Sequence, residues 1–176
     1  MALNNCFVSV NKSQQALSDF DCGKENMNHF LARFAGKHMA LGLSSTWVLP
    51  DTPKGMIPGN GNLAPIAAYF TLAQNTVRKE DLPVTQSLPR HPIPAVLLAR
   101  LAVDHRYQGR GLGNKTLITA LRKACELCRD GLPAYGLVLD VLDDNALGFY
   151  EKFEFFHPMN NDQRQLFIGM KTIEQI

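Results

Sequence analysis

Hydrophobic and polar positions divide the chain into segments of two periods. Ala95 to Val103 is a nearly unbroken apolar run rich in leucine and valine, the pattern of a buried strand. Beyond the polar turn Asp104–Gly109 the period changes. Leu117, Ala120, Leu121, Ala124 and Cys128 share one face of a helix opening at Leu112. Upstream, Phe7 to Val10 predicts a short strand, and Phe20–Gly23 a turn. Met27, Phe30, Leu31 and Phe34 then recur at helical spacing, with Asn26 as N-cap and Gly42 and Ser44–Ser45 as the stop. Trp47–Leu49, Ala64–Leu72 and Tyr135–Val141 predict further strands. Asp143 and Asp144 can cap a short helix from Asn145 to Lys152. Phe153–Phe156 and Leu166–Lys171 predict two closing strands. Pro50 to Asn62, with three prolines and three glycines, reads as an exposed loop. Thr76 to Pro94, with four prolines, reads as an irregular connection or short helix. The order of elements predicts one α/β domain over residues 1–176, a mixed twisted sheet flanked by helices.

Composition narrows the class. At 176 residues and 45% hydrophobic, the chain can bury one core, and no apolar run reaches the length of a membrane span. The start, Met1 to Cys6, has no basic region followed by an apolar run, so the expectation is a cytoplasmic protein with no membrane role. A net charge of +2 predicts no nucleic-acid binding from composition alone; a polyanion site would need local clustering. Cys125 and Cys128 form a C-x-x-C without a second pair, late in the predicted helix rather than at its start, so they read as structural. His29, His38, His105 and His157 lack metal-ligand spacing, and no metal is expected.

A buried strand entering a glycine turn that opens a helix is a device for binding phosphate. Free amides and the helix dipole face the ligand, and glycines admit it to the backbone. Three motifs compete for the stretch. The Walker loop fails because Asn114 precedes Lys115–Thr116, and the dinucleotide fingerprint fails because Asn114 stands where its last glycine belongs. Gln108-Gly109-Arg110-Gly111-Leu112-Gly113 fits the third without exception, the pattern Gln/Arg-x-x-Gly-x-Gly/Ala. In this it resembles the acetyl-CoA pyrophosphate loop of the GCN5-related N-acetyltransferases. A second block, Asp143 to Phe155, resembles the family segment in which Asn and Ala precede Phe-Tyr. It departs at Glu154, where the family usually has the glycine that shapes the turn. Phe20-Asp21-Cys22-Gly23, Arg90-His91-Pro92-Ile93-Pro94 and Leu98 to Asp104 are similar to one branch, the acetyltransferase toxins of toxin–antitoxin modules. That branch acetylates the amino acid on charged tRNA.

The resemblance implies a sheet splayed at the acetyl-CoA site. The pantetheine would pair with strand amides at Leu101, Ala102 and Val103. Gln108, Gly109, Arg110, Gly111, Leu112 and Gly113 would hold the pyrophosphate, and Phe149 would line the site. Asn145 is either a ligand to cofactor or water, or a helix cap. The resemblance makes Tyr150 the general acid. A phenol of pKa ~10 stays protonated at neutral pH and can donate to a thiolate of pKa ~8.5. Strand Ala95–Val103 carries no Asp or Glu, where many relatives that acetylate lysines or polyamines hold a base. An α-amine of pKa ~8 needs less help than an ε-amine of ~10.4. Asp104 and Glu151 are the remaining candidate bases, each with a turn or surface role as the plainer reading. A tRNA substrate would make Arg33, Lys37, Arg78, Lys79, Arg90 and His91 candidate phosphate contacts. The resemblance further implies a ribbon–helix–helix antitoxin, operator DNA reached through the complex, and a homodimer. Two other readings stay open: an acetyltransferase of small amines or protein N-termini, and a non-catalytic CoA-binding regulator.

Overall fold

The structure, a computed structural model, describes residues 6–176; of the N-terminal stretch read above, Met1 to Asn5 lie outside the described residues. The chain clusters into two compact units. One runs up to Leu72 and takes in Arg100–Ala120; the other comprises Ala73–Ala99 and Leu121–Ile176.

The first unit holds strand β1 (Val8–Ser9), helices α1 (Glu25–Arg33) and α2 (Ala35–Ala40), strand β2 (Ser45–Pro50) and most of β3 (Ile66–Val77). It also holds the end of β4 (Ile93–Val103) and the first half of α3 (Leu112–Asp130). Its strands follow the order β1-β2-β3-β4. β2 lies antiparallel to both neighbours, pairing Val48 with Val8 and with Tyr69. Strand alternation sends side chains into two cores. Val48, Tyr69 and Ala102 join Phe20, Met27, Phe30 and Leu31 on one face. Leu49, Ala68 and Val103 join Tyr107 and Leu112 on the other.

The second unit shares β3 and β4 and adds β5 (Gly136–Asp140), α4 (Asp144–Tyr150), β6 (His157–Pro158), β7 (Gln165–Gly169) and α5 (Met170–Ile173). Its strand order is β3-β4-β5-β7-β6. β4 runs parallel to β5, from Ala95 opposite Gly136 to Leu98 opposite Leu139; β5 is antiparallel to β7. A Cβ at Gly136 would collide with the Phe167 ring and the Ile168 carbonyl, so only glycine allows this strand pair to close. Among the described residues the fold class is α/β with a mixed, open sheet of seven strands.

Most elements fall where hydrophobic pattern puts them, with four corrections. The first helix begins at Glu25 with Lys24 at the N-cap, and Asn26 lies inside its first turn. It breaks at Phe34, whose ring is 40% exposed rather than buried and packs edge-on to His29 and His38. Phe153–Phe156 is a turn, not a strand. The Phe153 amide bonds back to the Tyr150 carbonyl (3.0 Å), and the rings pack on each other and on Phe149. The closing strand stops at Gly169. Met170 and Ile173 are both buried three residues apart, which only a helical turn allows.

Candidate functional site

In the first unit, β4 delivers the chain to the glycine turn. Pairing of β4 with β5 ends at Leu98, while β4 continues to Val103. The Asp104 amide donates to the Ala67 carbonyl on β3 (2.9 Å). Alternation therefore turns the Ala102 amide toward β3 and the Leu101 and Val103 amides toward the opposite, open edge. Of the three amides expected to be free, Ala102 is thus the exception.

Gly109 and Gly111 have φ of +79° and +73°. A Cβ at either would meet nothing within 4 Å, so the backbone conformation, not crowding, demands glycine. Leu112 is buried and anchors the start of α3. The Lys115 amide bonds to the Gly111 carbonyl (3.3 Å), so the amides of Leu112, Gly113 and Asn114 precede the first helical acceptor. Gly113 therefore belongs to the first helical turn, and its amide is one of those facing out. Arg110 is exposed, its guanidinium 5.9 Å from the Tyr107 ring centre; that of Arg106 lies 5.6 Å from the same ring. The Gln108 carboxamide donates to the carbonyls of Val103 (2.9 Å) and Cys22 (3.4 Å), strapping the loop to the Phe20–Gly23 turn.

Beneath the loop lies a buried carboxylate. Asp104 is fully buried and accepts from the Asp21 amide (3.0 Å), the Arg106 amide (2.9 Å), and Arg106 Nε (2.9 Å) and Nη2 (3.0 Å). Burial alone would push its carboxyl up. The Arg106 guanidinium and the two amides outweigh that and hold it below the ordinary range. Every lone-pair direction is used, so Asp104 is a structural staple and not a general base. The Tyr107 hydroxyl donates to buried Asp51 (2.6 Å). Burial and then that carboxylate push its phenol up to about 12. Asp104 stood out in the sequence only as a charge ending an apolar run. Asp51 gave no signal inside its proline–glycine loop.

In the second unit, Asp143 caps α4 by accepting from the Ala146 amide (2.8 Å). The cap reading of Asn145 is thereby excluded; it is exposed in the first turn. Phe149 is half-buried. Tyr150 ends the helix, 8% exposed, its ring edge-on to Phe149 and Phe156. Burial pushes its phenol up, which keeps it protonated. Among the described residues its hydroxyl makes no hydrogen bond. The only sealed and unpartnered side-chain polar atom among them is Ser44 Oγ, so the Tyr150 hydroxyl keeps an open side. Glu154 is exposed and does not adopt the left-handed backbone that a glycine there would serve; Glu151 is exposed.

The candidate phosphate contacts divide between the units. Arg33 and Lys37 are exposed on either side of the Phe34 break. Arg78 lies 3.7 Å from Glu80, Lys79 Nζ donates to the Leu88 carbonyl (3.3 Å), and Arg90 and His91 are exposed. Cys125 and Cys128 are free thiols; Cys125 is buried and accepts from Arg129 Nη2 (3.6 Å), and burial raises the thiol of Cys128.

Residues 84–155 match the acetyltransferase (GNAT) family. A 92-residue stretch is 36% identical to a tRNA-acetylating toxin of Mycobacterium tuberculosis, covering 51% of this chain and 54% of that protein. The match thus spans about half the length of that relative. The fold superposes on AtaTR bound with AcCoA at a TM-score of 0.77, with 25% identity over 97% of this chain and 96% of that one. It superposes on AtaT complexed with acetyl-methionyl-tRNAfMet at 0.82, with 23% identity over 97% of each, a likeness of fold. The glycine turn and the strand that leads into it both lie within the stretch, residues 84–155, that matches the acetyltransferase (GNAT) family.

Proposed function

We propose that the protein is an acetyl-CoA-dependent N-acetyltransferase that caps the α-amine of aminoacyl-tRNA and so blocks translation. The observation that carries the reading is the end of β4. Two outward amides there lead directly into a turn with left-handed Gly109 and Gly111 and the bare first amides of α3. Such a run can pair with an amide-bearing chain and then receive a pyrophosphate. In this reading Leu101 and Val103 hold the pantetheine, and Gly109 to Gly113 with Arg110 hold the phosphates. The Tyr150 hydroxyl gives its proton to the departing sulfur as the amine nitrogen bonds to the acetyl carbon and the carbon–sulfur bond breaks. The amine gives up its own proton to solvent, and solvent returns one to the Tyr150 phenolate. No carboxylate lies on β4, and Asp104 is consumed, which favours an acceptor amine of low basicity. An α-amine next to an ester is such a group. The tRNA-acetylating relative supports the same acceptor.

A toxin of this kind needs a neutralising partner and acts where translation occurs. The reading therefore includes a ribbon–helix–helix antitoxin, operator DNA bound through that complex, a homodimer, and a cytoplasmic site of action. It also treats residues 1–176 as one functional domain. The test is transfer of radiolabelled acetyl from acetyl-CoA by the purified protein. Charged tRNA should be labelled, and deacylated tRNA and free polyamines should not. Tyr150→Phe should reduce kcat by ~100-fold or more while acetyl-CoA still binds. Labelling of polyamines alone would favour a small-amine enzyme, and acetyl-CoA binding without transfer a regulatory module.

A further inference from the structure

Arg100 is the only ionisable residue in β4. It is half-buried, and its guanidinium carbon lies 4.2 Å from the centre of the Phe30 ring. Among the described residues its hydrogen-bond partner is a weak acceptor, the Met27 thioether, at 3.6 Å from Nη1. Among the described residues no carboxylate stands within ion-pair range of it. A guanidinium carries five donors, and partial burial without an oxygen acceptor is costly. The ring and the sulfur fix its direction, and they do not neutralise its charge. The platform itself is rigid. The Tyr69 hydroxyl, buried in the same core, donates to the Met27 carbonyl (2.8 Å) and pins α1 beneath the arginine.

From this we infer that Arg100 receives an oxyanion of the acceptor, a phosphodiester near the aminoacylated end of the RNA. The inference rests on the reading of the acceptor given above. Donor phosphates offer the same chemistry, but position along β4 argues against them. The glycine turn that would hold them begins beyond Val103. Arg100 precedes that point by three residues, ~10 Å of extended chain. A pantetheine lying along Leu101–Val103 would point its thioester toward Arg100 and its phosphates away. The cation therefore stands at the reacting end, where the acceptor enters. An arginine fork fits a phosphodiester by two parallel donors, which a lysine cannot reproduce.

The test compares the full-length protein with Arg100→Gln and Arg100→Lys, using two acceptors: charged tRNA, and an amino-acid methyl ester that has no phosphate. The glutamine variant should raise KM for charged tRNA about tenfold, the equivalent of ~1.4 kcal/mol. KM for acetyl-CoA and kcat/KM for the methyl ester should stay within twofold of the parent. The lysine variant should recover part of the loss. Equal losses with both acceptors would mean that Arg100 only supports the fold, and a rise in KM for acetyl-CoA would mean donor phosphate; either overturns the inference, as does no change at all. If the parent protein acetylates neither acceptor, the acetyltransferase reading itself has failed. Arg100 is then judged by fluorescence anisotropy of a labelled single-stranded RNA ending in CCA. Tighter binding by the parent than by Arg100→Gln sustains the anion site, and equal binding removes it.

Discussion

Replacing Asp104 with Asn keeps the shape of the side chain and removes its charge. The amide nitrogen must then face donors, either the Asp21 amide and Arg106 Nη2 or the Arg106 amide and Nε, because each carboxylate oxygen accepts from two of these groups. Breaking a buried ion pair from one side costs ~3–5 kcal/mol. Here the Arg106 side chain is 43% exposed and can regain water, so the loss falls just below that range, ~2–3 kcal/mol. With a urea m-value of ~2 kcal/mol per molar, the midpoint should fall by ~1–1.5 M. The effect has a pH signature. The folded carboxyl titrates below its unfolded value of ~3.9, so its stabilisation is full above that value and disappears as pH falls through the lower folded one. The gap between parent and variant, measured by urea unfolding, should be constant from pH 6 to 8 and shrink steadily in acid. Because the same carboxylate ties the Phe20–Gly23 turn to the start of the glycine turn, calorimetric affinity for acetyl-CoA should weaken as well. A variant that loses less than ~0.5 kcal/mol, within the range of an ordinary surface change, would refute the staple. So would a gap that does not narrow in acid.

Three further outcomes are expected. Tyr107→Phe removes the donor to buried Asp51 and should cost ~1.5–3 kcal/mol by urea unfolding. Since the Tyr107 phenol is pushed up to about 12, its stabilisation should be full below ~10 and fade as pH rises through about 12, a limb that the phenylalanine variant should lack. Gly111→Ala forces φ of +73° on a residue with a Cβ. It should destabilise by ~1–2 kcal/mol and weaken acetyl-CoA binding, although no atom is crowded. In Tyr150→Phe the urea midpoint should barely move, because no hydrogen bond among the described residues is lost, while turnover falls; a large stability loss instead would mark Tyr150 as a packing residue.

What could be read from the chain depended on how local the cause was. The period change at Leu112 and the glycine turn before it are local consequences of side-chain pattern, and both were legible before any fold was known; the left-handed backbone at Gly109 and Gly111 was not, since the glycines were read as leaving room for phosphate. The Phe153–Phe156 run was misread because aromatic residues suit a strand and a packed turn equally. The choice was made by Tyr150 and Phe149 in the helix before it. Asn26 lost its predicted capping place for a similar reason, since the Asp21 turn begins the helix at Glu25, and Asn28 instead bonds back to that turn.

The staple and the lone cation were out of reach for a stronger reason. Asp104 meets Asp21 across 83 residues, and Arg100 meets Met27 across 73. No spacing rule links positions so far apart, and each residue alone reads as an ordinary charge at a strand. The two charges also differ in kind. Asp104 finds donors on every side and is finished by the fold, whereas Arg100 is oriented by a ring and a sulfur and, among the described residues, is left without an anion. A fold that neutralises one buried charge completely and leaves the next cation along the strand without an oxygen acceptor has positioned that cation for a group from outside. The methyl-ester comparison decides whether that group is the acceptor's phosphate, because a packing role for Arg100 would weaken both acceptors alike.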